Sequence, residues 1–251
     1  NSVLHKGYQP KPIESLSKLF DALQQKACQA IIVPVENSLE GTVNVVMDRF
    51  LGLDGTLILS ELNVPISHSL MVSSQSKIDH IEDIKLILSH EQALAQCQSF
   101  LSNNLSGASL RQVLSSAKAA QMLVSLYETN ELDLNKNYFA DVSCEKDSVA
   151  VIGHRKLAPL YDLKIMAEDI HDNADNVTRF LVIGSGEVEK TGHDKTSIVF
   201  STTKDQPGSL AKVLQEFATN GINLTRILSR PSKKGLGEYM FYIDCEGHIN
   251  D

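Results

Sequence analysis

Hydrophobic positions along the chain recur at helical and at strand-like spacings in turn. In 11–25, apolar residues return every three or four positions, which predicts an amphipathic helix, and the compact run 30–35 (AIIVPV) predicts a strand. A second amphipathic helix is predicted over 42–51. The segments 85–101 and 109–128 each lead from a strand into a helix. This repeated unit predicts an α/β fold with parallel sheets.

The next stretch continues the pattern and then becomes polar. Residues 148–170 indicate a strand, a short helix and another strand. In 172–184 (DNADNVTRFLVIG), the apolar run that ends at Gly184 is typical of a buried strand in a mostly parallel sheet. Asn176, Thr178 and Arg179 lie where this strand begins. They are either its surface end or part of a site.

The C-terminal fifth of the chain predicts a separate small domain. Residues 184–195 mix glycine with charge and show no periodicity, which places a domain boundary there. The following pattern predicts strand, helix, strand and strand, which is most of a small α+β sandwich. The four elements are 196–202, 207–221, 222–231 and 238–248.

Composition narrows the class of protein. A chain of 251 residues with 42% hydrophobic and 22% charged residues predicts one larger and one smaller folded domain. The formal charge of -8 and the lack of a clustered Lys/Arg face argue against a nucleic-acid partner. No apolar run approaches the roughly 20 residues of a spanning helix, and no signal peptide opens the sequence.

Cysteine spacing gives no sign of a metal or disulfide framework. Cys28, Cys97, Cys144 and Cys245 are far apart, without a CxxC pair or a histidine at zinc-finger spacing. We therefore expect a cytoplasmic protein with reduced thiols and without a metal or a membrane partner.

Three predicted strands run into polar clusters just before a helix. Helix N-termini beyond the carboxyl ends of strands favour anionic ligands, but Asn and Ser at these positions are equally good helix caps. For any single cluster the capping interpretation is favoured. The clusters are Glu36, Asn37 and Ser38; Ser89 and His90, with Gln92 and Gln96 a helical turn apart; and Ser115 with Ser116.

Five motifs, in order and at compatible spacing, resemble those of prephenate dehydratase with its C-terminal ACT regulatory domain. Such an ordered set is far more specific than any one motif. The five are VPVENSLEGTVN (33–44), LSHEQALAQC (88–97), NADNVTRFLVIG (173–184), PGSLAKVL (207–214) and SRPSKKGLGEYMFYIDCEGH (229–248).

The resemblance implies a two-subdomain catalytic domain like a periplasmic binding protein, with a cleft, and a ferredoxin-like α+β ACT domain. We expect the catalytic domain over 1–184, with subdomain A about 1–66 and 148–184 and subdomain B about 67–147. A linker at 185–195 and the ACT domain at 196–251 follow. The family opens with a strand and a Gly-Pro-x-Gly-Thr turn that are absent here, and the sequence stops at EGHIND, so we expect it to be incomplete at both ends. These residues leave no room for the chorismate mutase helices of some relatives, although a longer parent could carry them.

The activity implied by the resemblance is conversion of prephenate to phenylpyruvate, water and carbon dioxide in phenylalanine biosynthesis, without a cofactor. Thr178 matches the family's catalytic threonine, and Asn37, Ser89 and Gln96 match residues of its substrate site. Further members of the same motifs have less defined roles in binding substrate: Glu36, Ser38, Ser115, Ser116, Asn176, Arg179 and Phe180.

This chemistry requires an enzyme to hold a dianion and to help hydroxide leave as water. Because a threonine hydroxyl is a very weak acid, we expect Thr178 to give its proton concertedly with help from a polar neighbour or water, or to polarise the leaving oxygen by a preorganised hydrogen bond. Otherwise Thr178 is an ordinary β-branched strand residue.

Arg179 either pairs a carboxylate or fixes the strand start. His90 is expected to be structural, and His68, His154 and His171 show no partner pattern.

The ACT-like region implies end-product control by phenylalanine, bound where two ACT domains of a homodimer or homotetramer meet. Leu228 stands where the family motif has Glu, and Ser209 replaces Ala, so the strength of feedback stays open. The implied effector-binding residues are Gly208, Ser209, Leu210, Asn223, Leu224, Ser229, Arg230 and Pro231.

Three other functions share parts of this pattern. Arogenate dehydratase uses the same scaffold with an amino group in place of the keto group of the substrate, and direct competition of the two substrates would decide. A non-catalytic amino-acid sensor would bind phenylalanine without turnover, and the full motif around Thr178 disfavours it. A small-anion binding protein fits the polar strand ends but leaves the ACT-like region unexplained.

Overall fold

A computed structural model of the chain describes residues 9–53, 55–129, 145–202, 206–233, 235 and 238–251. The helices are α1 (Leu16–Gln24), α2 (Asn44–Arg49), α3 (Glu91–Ala95), α4 (Gln98–Asn104), α5 (Ser116–Thr129), α6 (Leu157–Tyr161) and α7 (Ser209–Thr219). The strands are β1 (Ala30–Asn37), β2 (Gly41–Thr42), β3 (Leu57–Pro65), β4 (Ser69–Ser73), β5 (Leu86–Ser89), β6 (Ser109–Gln112), β7 (Val149–Gly153), β8 (Leu163–Ala167), β9 (Val177–Gly184), β10 (Lys195–Phe200), β11 (Leu224–Pro231) and β12 (Tyr239–Glu246).

The contacts divide the chain into two compact units. The first unit consists of Asn1–Glu36, Thr42–Leu62 and Arg179–Asp251, and the second of Asn37–Gly41 and Asn63–Thr178. The boundary therefore crosses β1 between Glu36 and Asn37 and β9 between Thr178 and Arg179.

The first unit contains most of a four-stranded sheet in the order β2-β1-β9-β3. Ser15 is the N-cap of helix α1, and its side chain accepts a hydrogen bond from the Lys18 backbone N–H. The helix buries Phe20 and Leu23 in a core that also takes Val33 of β1 and Ile183 of β9. Alternate β1 residues are buried, so this strand covers the core with one face only.

The same unit contains a three-stranded antiparallel sheet in the order β10-β12-β11, with α7 between β10 and β11 in the chain. This is the predicted strand, helix, strand, strand order of the small domain, which is confirmed. In register, Ser197 of β10 and Arg226 of β11 both lie opposite Asp244 of β12.

The second unit contains a five-stranded sheet in the order β6-β5-β7-β4-β8. Strand β5 runs parallel to β6 and β7 and is buried throughout. Leu86 and Leu88 pack in the cluster that contains α5, whereas Ile87 packs in the cluster that contains α3 and α4 residues. Helices on both faces explain why β5 is apolar at consecutive positions rather than alternating.

Three expectations about this part of the chain are wrong. The sheet is mixed, because β4 runs antiparallel to both β7 and β8. Residues 149–167 do not belong with the first subdomain, since β7 and β8 pair with β4 of the second unit. The single helix predicted over 91–101 is two helices, α3 and α4, with Gln96 as the C-cap of α3.

The described residues contain no helix long and apolar enough to cross a membrane. In the same residues, no group of three or more His, Cys, Asp or Glu side chains could hold a metal ion.

Candidate active site

Asn37, the last residue of β1, is held on both sides of its side-chain amide. Its Oδ1 accepts hydrogen bonds from the backbone N–H groups of Leu39 at 2.9 Å and Glu40 at 3.1 Å. Its Nδ2 donates to Asn176 Oδ1 at 2.7 Å and to Thr178 Oγ1 at 2.9 Å. Both amide hydrogens and the amide oxygen therefore have partners, which fixes the orientation of the group.

Thr178 lies one residue into β9 and is half-buried. Its hydroxyl oxygen accepts a hydrogen bond from the Asn37 side-chain amide, so the hydroxyl keeps its own hydrogen for donation to another group. An accepted hydrogen bond also polarises a hydroxyl and makes it a better donor. The arrangement supports the predicted role of Thr178 as a donor.

Asn176 connects this pair to Gln96. Asn176 is 1% exposed, and its Nδ2 donates to Gln96 Oε1 at 3.1 Å. Gln96 Nε2 in turn donates to Glu40 Oε1 at 2.9 Å. We call Asn37, Glu40, His68, Gln96, Asn176 and Thr178 the amide network, and all six belong to the second unit.

His68 completes the amide network through Nε2, which lies 2.9 Å from Gln96 Oε1. Because a carbonyl oxygen only accepts, Nε2 carries the proton and Nδ1 is the acceptor nitrogen. Among the described residues, the buried Nδ1 has no hydrogen-bond partner. Burial lowers the pKa of His68, the bond to Gln96 opposes this, and His171 and His154 lower the pKa further.

The sequence showed no partner pattern for His68, and the structure supplies a partner in Gln96. His68 and Gln96 are 28 positions apart, and no local periodicity joins them. Glu40 was also missed as an individual residue, although it lies inside the motif VPVENSLEGTVN. Its place within that motif was the only signal that could have found it.

The predicted serines fall into different groups. Ser38 joins the start of β9 by accepting from Val177 N–H at 3.0 Å and donating to Asp175 O at 3.1 Å. Ser89 is fully buried, donates to Ile152 O at 2.6 Å, and lies 3.2 Å from Ser116 Oγ. Ser115 accepts from the Lys118 N–H at the start of α5 and acts there as a cap.

Glu36, Arg179 and Phe180 belong to the first unit. Glu36 Oε2 lies 3.4 Å from Arg226 Nε. Arg179 donates through Nε to Glu61 Oε2 at 2.8 Å and through Nη1 to Asp244 Oδ2 at 2.6 Å. Burial acts to lower the pKa of Arg179, but the contacts with Asp244 and Glu61 outweigh burial and raise this pKa. Phe180 is only half-buried, unlike the four β9 residues that follow it.

The predicted effector residues lie at the start of α7 and along β11. Gly208 precedes α7 with a φ of 84°, a left-handed conformation that favours glycine, and Ser209 and Leu210 follow it in the first turn. Asn223 precedes β11, which begins at Leu224 and contains Ser229 and Pro231. Arg230 donates to Asp48 Oδ1 from Nε at 3.0 Å and from Nη2 at 2.6 Å.

Comparison with known proteins identifies the family. The prephenate dehydratase family profile matches residues 1–188, and the ACT domain profile matches residues 196–251. The bifunctional chorismate mutase/prephenate dehydratase of Aquifex aeolicus is 38% identical over 94% of this chain and 58% of its own length. The prephenate dehydratase of Methanocaldococcus jannaschii is 36% identical over 94% of this chain and 78% of its own.

A solved structure agrees with these sequence relatives. The crystal structure of the Arthrobacter aurescens prephenate dehydratase in complex with L-Phe superposes with a TM-score of 0.79 at 33% identity. The match covers 96% of this chain and 72% of that one. The chain spans less than two thirds of the bifunctional relatives, at 58% of the Aquifex protein. On the strength of both profiles, these relatives and the fold, the chain belongs to the prephenate dehydratase family, with a C-terminal ACT domain.

Proposed function

We propose that the protein catalyses the decarboxylating dehydration of prephenate to phenylpyruvate, water and carbon dioxide. The observation that carries the proposal is the Asn37 amide bond to Thr178 Oγ1, because it leaves the Thr178 hydroxyl hydrogen free to donate. Family membership supports the reaction, and the threonine lies in the motif that the family resemblance assigns to it.

The reaction breaks two bonds of the substrate ring. The bond to the ring carboxylate breaks and its electron pair enters the ring, which becomes aromatic as the hydroxyl on the opposite carbon departs. That hydroxyl needs one proton to leave as water. We assign to Thr178 either transfer of this proton in concert with C–O cleavage, with reprotonation from solvent, or a hydrogen bond to the departing oxygen.

The amide network supports this role by fixing the donor in advance. Asn37 is held by the two backbone N–H groups and by buried Asn176, so Thr178 meets a neighbour that does not need to reorient. Preorganised dipoles lower a barrier because they cost no reorganisation during the reaction. Asn37, Gln96, Ser38 and Asn176 stay our proposed contributors to the substrate site, and Ser89, Ser115, Ser116, Glu36 and Phe180 are proposed to shape it.

The direct test is formation of phenylpyruvate from prephenate, followed spectroscopically with and without phenylalanine. We expect turnover without any added metal or cofactor and a lower rate with phenylalanine. Phenylalanine binding without any turnover would contradict the proposal and favour an amino-acid sensor.

The choice between prephenate and arogenate needs its own experiment. Both substrates lose the same carboxylate and the same hydroxyl, so the role of Thr178 is the same for either. With both present at equal concentration, we expect phenylpyruvate to form faster than phenylalanine. The reverse order would assign the protein as an arogenate dehydratase.

We also propose that phenylalanine binds the ACT domain at Gly208, Ser209, Leu210, Asn223, Leu224, Ser229, Arg230 and Pro231, in a homodimer or homotetramer. The L-Phe complex of the Arthrobacter relative supports this ligand. Since Arg230 is paired with Asp48, we expect it to contribute by holding β11. Isothermal titration of wild type and Gly208→Val tests the site, because a β-branched residue is strained at a φ of 84°.

A further inference from the structure

A charged residue lies next to each of the two strand residues of the proposed site. Glu36 precedes Asn37 on β1, and Arg179 follows Thr178 on β9. Consecutive strand residues project to opposite faces, so the charged pair lies on the face opposite Asn37 and Thr178. The strands β1 and β9 are neighbours in their sheet.

The ACT sheet presents the complementary charges. Arg226 of β11 and Asp244 of β12 are cross-strand neighbours in register. Arg226 Nε lies 3.4 Å from Glu36 Oε2, and Asp244 Oδ2 accepts from Arg179 Nη1 at 2.6 Å. Two adjacent strands of one sheet thus match two adjacent strands of the other with charges of opposite sign. We call Glu36, Arg179, Arg226 and Asp244 the charge cluster.

Burial and further bonds make the Arg179 half of this cluster the more rigid. The side chains of Arg179 and Asp244 are 15% and 8% exposed, against 40% for Glu36. Asp244 Oδ1 accepts from Ser197 Oγ at 2.7 Å, and Glu61 binds both Arg179 and Lys195. Arg226 is also anchored by Nη2 donation to Thr42 Oγ1 at 3.2 Å.

The charge of Arg179 is therefore already compensated by protein carboxylates. With Asp244 and Glu61 both in contact, the guanidinium is not readily drawn away to a substrate carboxylate, since its removal would leave the buried Asp244 carboxylate without its cationic partner. Because Arg179 directly follows Thr178 in the chain, the ion pairs that hold Arg179 also restrict the position of Thr178.

Building on the proposed function, we propose that the charge cluster fixes β1 and β9 from the ACT side and thereby aligns Asn37 with Thr178. Asp244 and Arg226 are then positioning residues for the dehydration. They act through Arg179 and Glu36 and touch neither substrate nor leaving group. Displacement of about 1 Å at a donor is enough to lower turnover strongly without weakening substrate binding.

The test compares Asp244→Asn with Glu246→Gln in the whole chain. Both variants remove one carboxylate from β12, but Glu246 is exposed. For Asp244→Asn we expect kcat per folded molecule to fall about tenfold while KM changes by less than about twofold, and Asp244→Glu should recover part of the loss. Glu246→Gln should match wild type. The folded fraction comes from urea unfolding of each variant.

A double-mutant cycle tests the other half of the cluster. Glu36→Gln and Arg226→Gln should each lower kcat, and the double variant should lose no more than the worse single variant, because one contact is broken in all three. A kcat for Asp244→Asn within about twofold of wild type, or a loss confined to KM, would overturn the proposal. A wild-type protein inactive on prephenate and arogenate would instead overturn the proposed function.

Discussion

The amide network and the charge cluster each include one residue of β1 and one of β9, but they rely on opposite kinds of chemistry. The network centres on three neutral amides and one hydroxyl, with buried Asn176 at its centre. The cluster opposes full charges, with Arg179 between Asp244 and Glu61. Neutral donors keep their hydrogen-bonding roles across neutral pH, which suits a proton donor as weak as threonine. Paired charges resist displacement because separating buried partners is costly.

The largest expected effect comes from removing the one hydroxyl of the amide network. Thr178→Val keeps the β-branched shape but removes the donor, so we expect kcat on prephenate to fall about 10²- to 10⁴-fold. Thr178→Ser keeps the hydroxyl and should retain much more turnover, with some loss because serine's χ1 is freer. Melting temperature and phenylpyruvate formation are measured together. Near-normal turnover by a folded Thr178→Val protein would remove Thr178 from the mechanism.

The second effect concerns stability and tests whether the network also holds the fold. Asn176→Ala leaves the Asn37 amide and Gln96 Oε1 each without one partner in a buried setting. We expect a loss of about 1–3 kcal/mol in the free energy of unfolding, seen as a lower urea midpoint at unchanged m.

Asn173→Ala is the matched control, because Asn173 is exposed and accepts a local hydrogen bond from Asp175 N–H. It should cost less than about 0.5 kcal/mol. Equal costs for the two variants would show that burial of Asn176 contributes nothing.

The sequence predicted features formed by neighbouring residues, but not contacts between residues that are far apart in the chain. Local patterns predicted the strand starting near Thr178 and the strand that runs into Glu36, Asn37 and Ser38, because periodicity and motif spacing are properties of neighbouring residues. They did not predict the bond between His68 and Gln96 or the pair of Arg179 with Asp244, which lies 65 positions further on. The motif residue Arg179 was considered as a carboxylate partner, but nothing in the sequence named the carboxylates it would meet.

Strand partners escaped prediction for the same reason. The structure buries every residue of β7, the first strand predicted within 148–170. A strand that is buried along its whole length can lie inside any sheet, so the pairing of β7 with β4 and β5 could not be predicted from its own residues. The antiparallel direction of β4 likewise depends on the path of the connections between strands, and periodicity carries no information about that path.

A third, smaller effect uses the one titrating group of the amide network near neutral pH. Burial lowers the pKa of His68 in the folded protein below its usual 6.5, so the unfolded chain takes up a proton first as pH falls. The contribution of His68 is fully present above pH 6.5 and is lost progressively below it. Wild-type unfolding free energy should therefore decline as the pH falls from about 6.5 to about 5.5, and His68→Gln should decline less.

Exposed His80 provides the control for that experiment, and His80→Gln should keep the wild-type slope. Urea unfolding at a series of pH values measures both. Identical slopes for wild type and His68→Gln would mean that His68 does not contribute to acid sensitivity.

The smallest expected effect comes from the exposed ion pair between Lys195 and Glu61, which we call the rim of the charged region. Its centre is the buried pair of Arg179 and Asp244. Lys195 binds Glu61 at 2.8 Å but is 38% exposed, so solvent screens the pair and Lys195→Gln should cost at most about 1 kcal/mol. Burial acts to raise the pKa of Glu61, but Lys195 and Arg179 outweigh burial and hold this pKa below its usual value. Part of the stabilisation by the pair is therefore lost as the pH falls through the lowered pKa of Glu61. The cost should shrink further in about 1 M salt. Lys156→Gln, at an exposed position, is the control. A cost for Lys195→Gln as large as that of Asp244→Asn would show that exposure does not separate rim from centre, and that the charged region stabilises the fold as one unit.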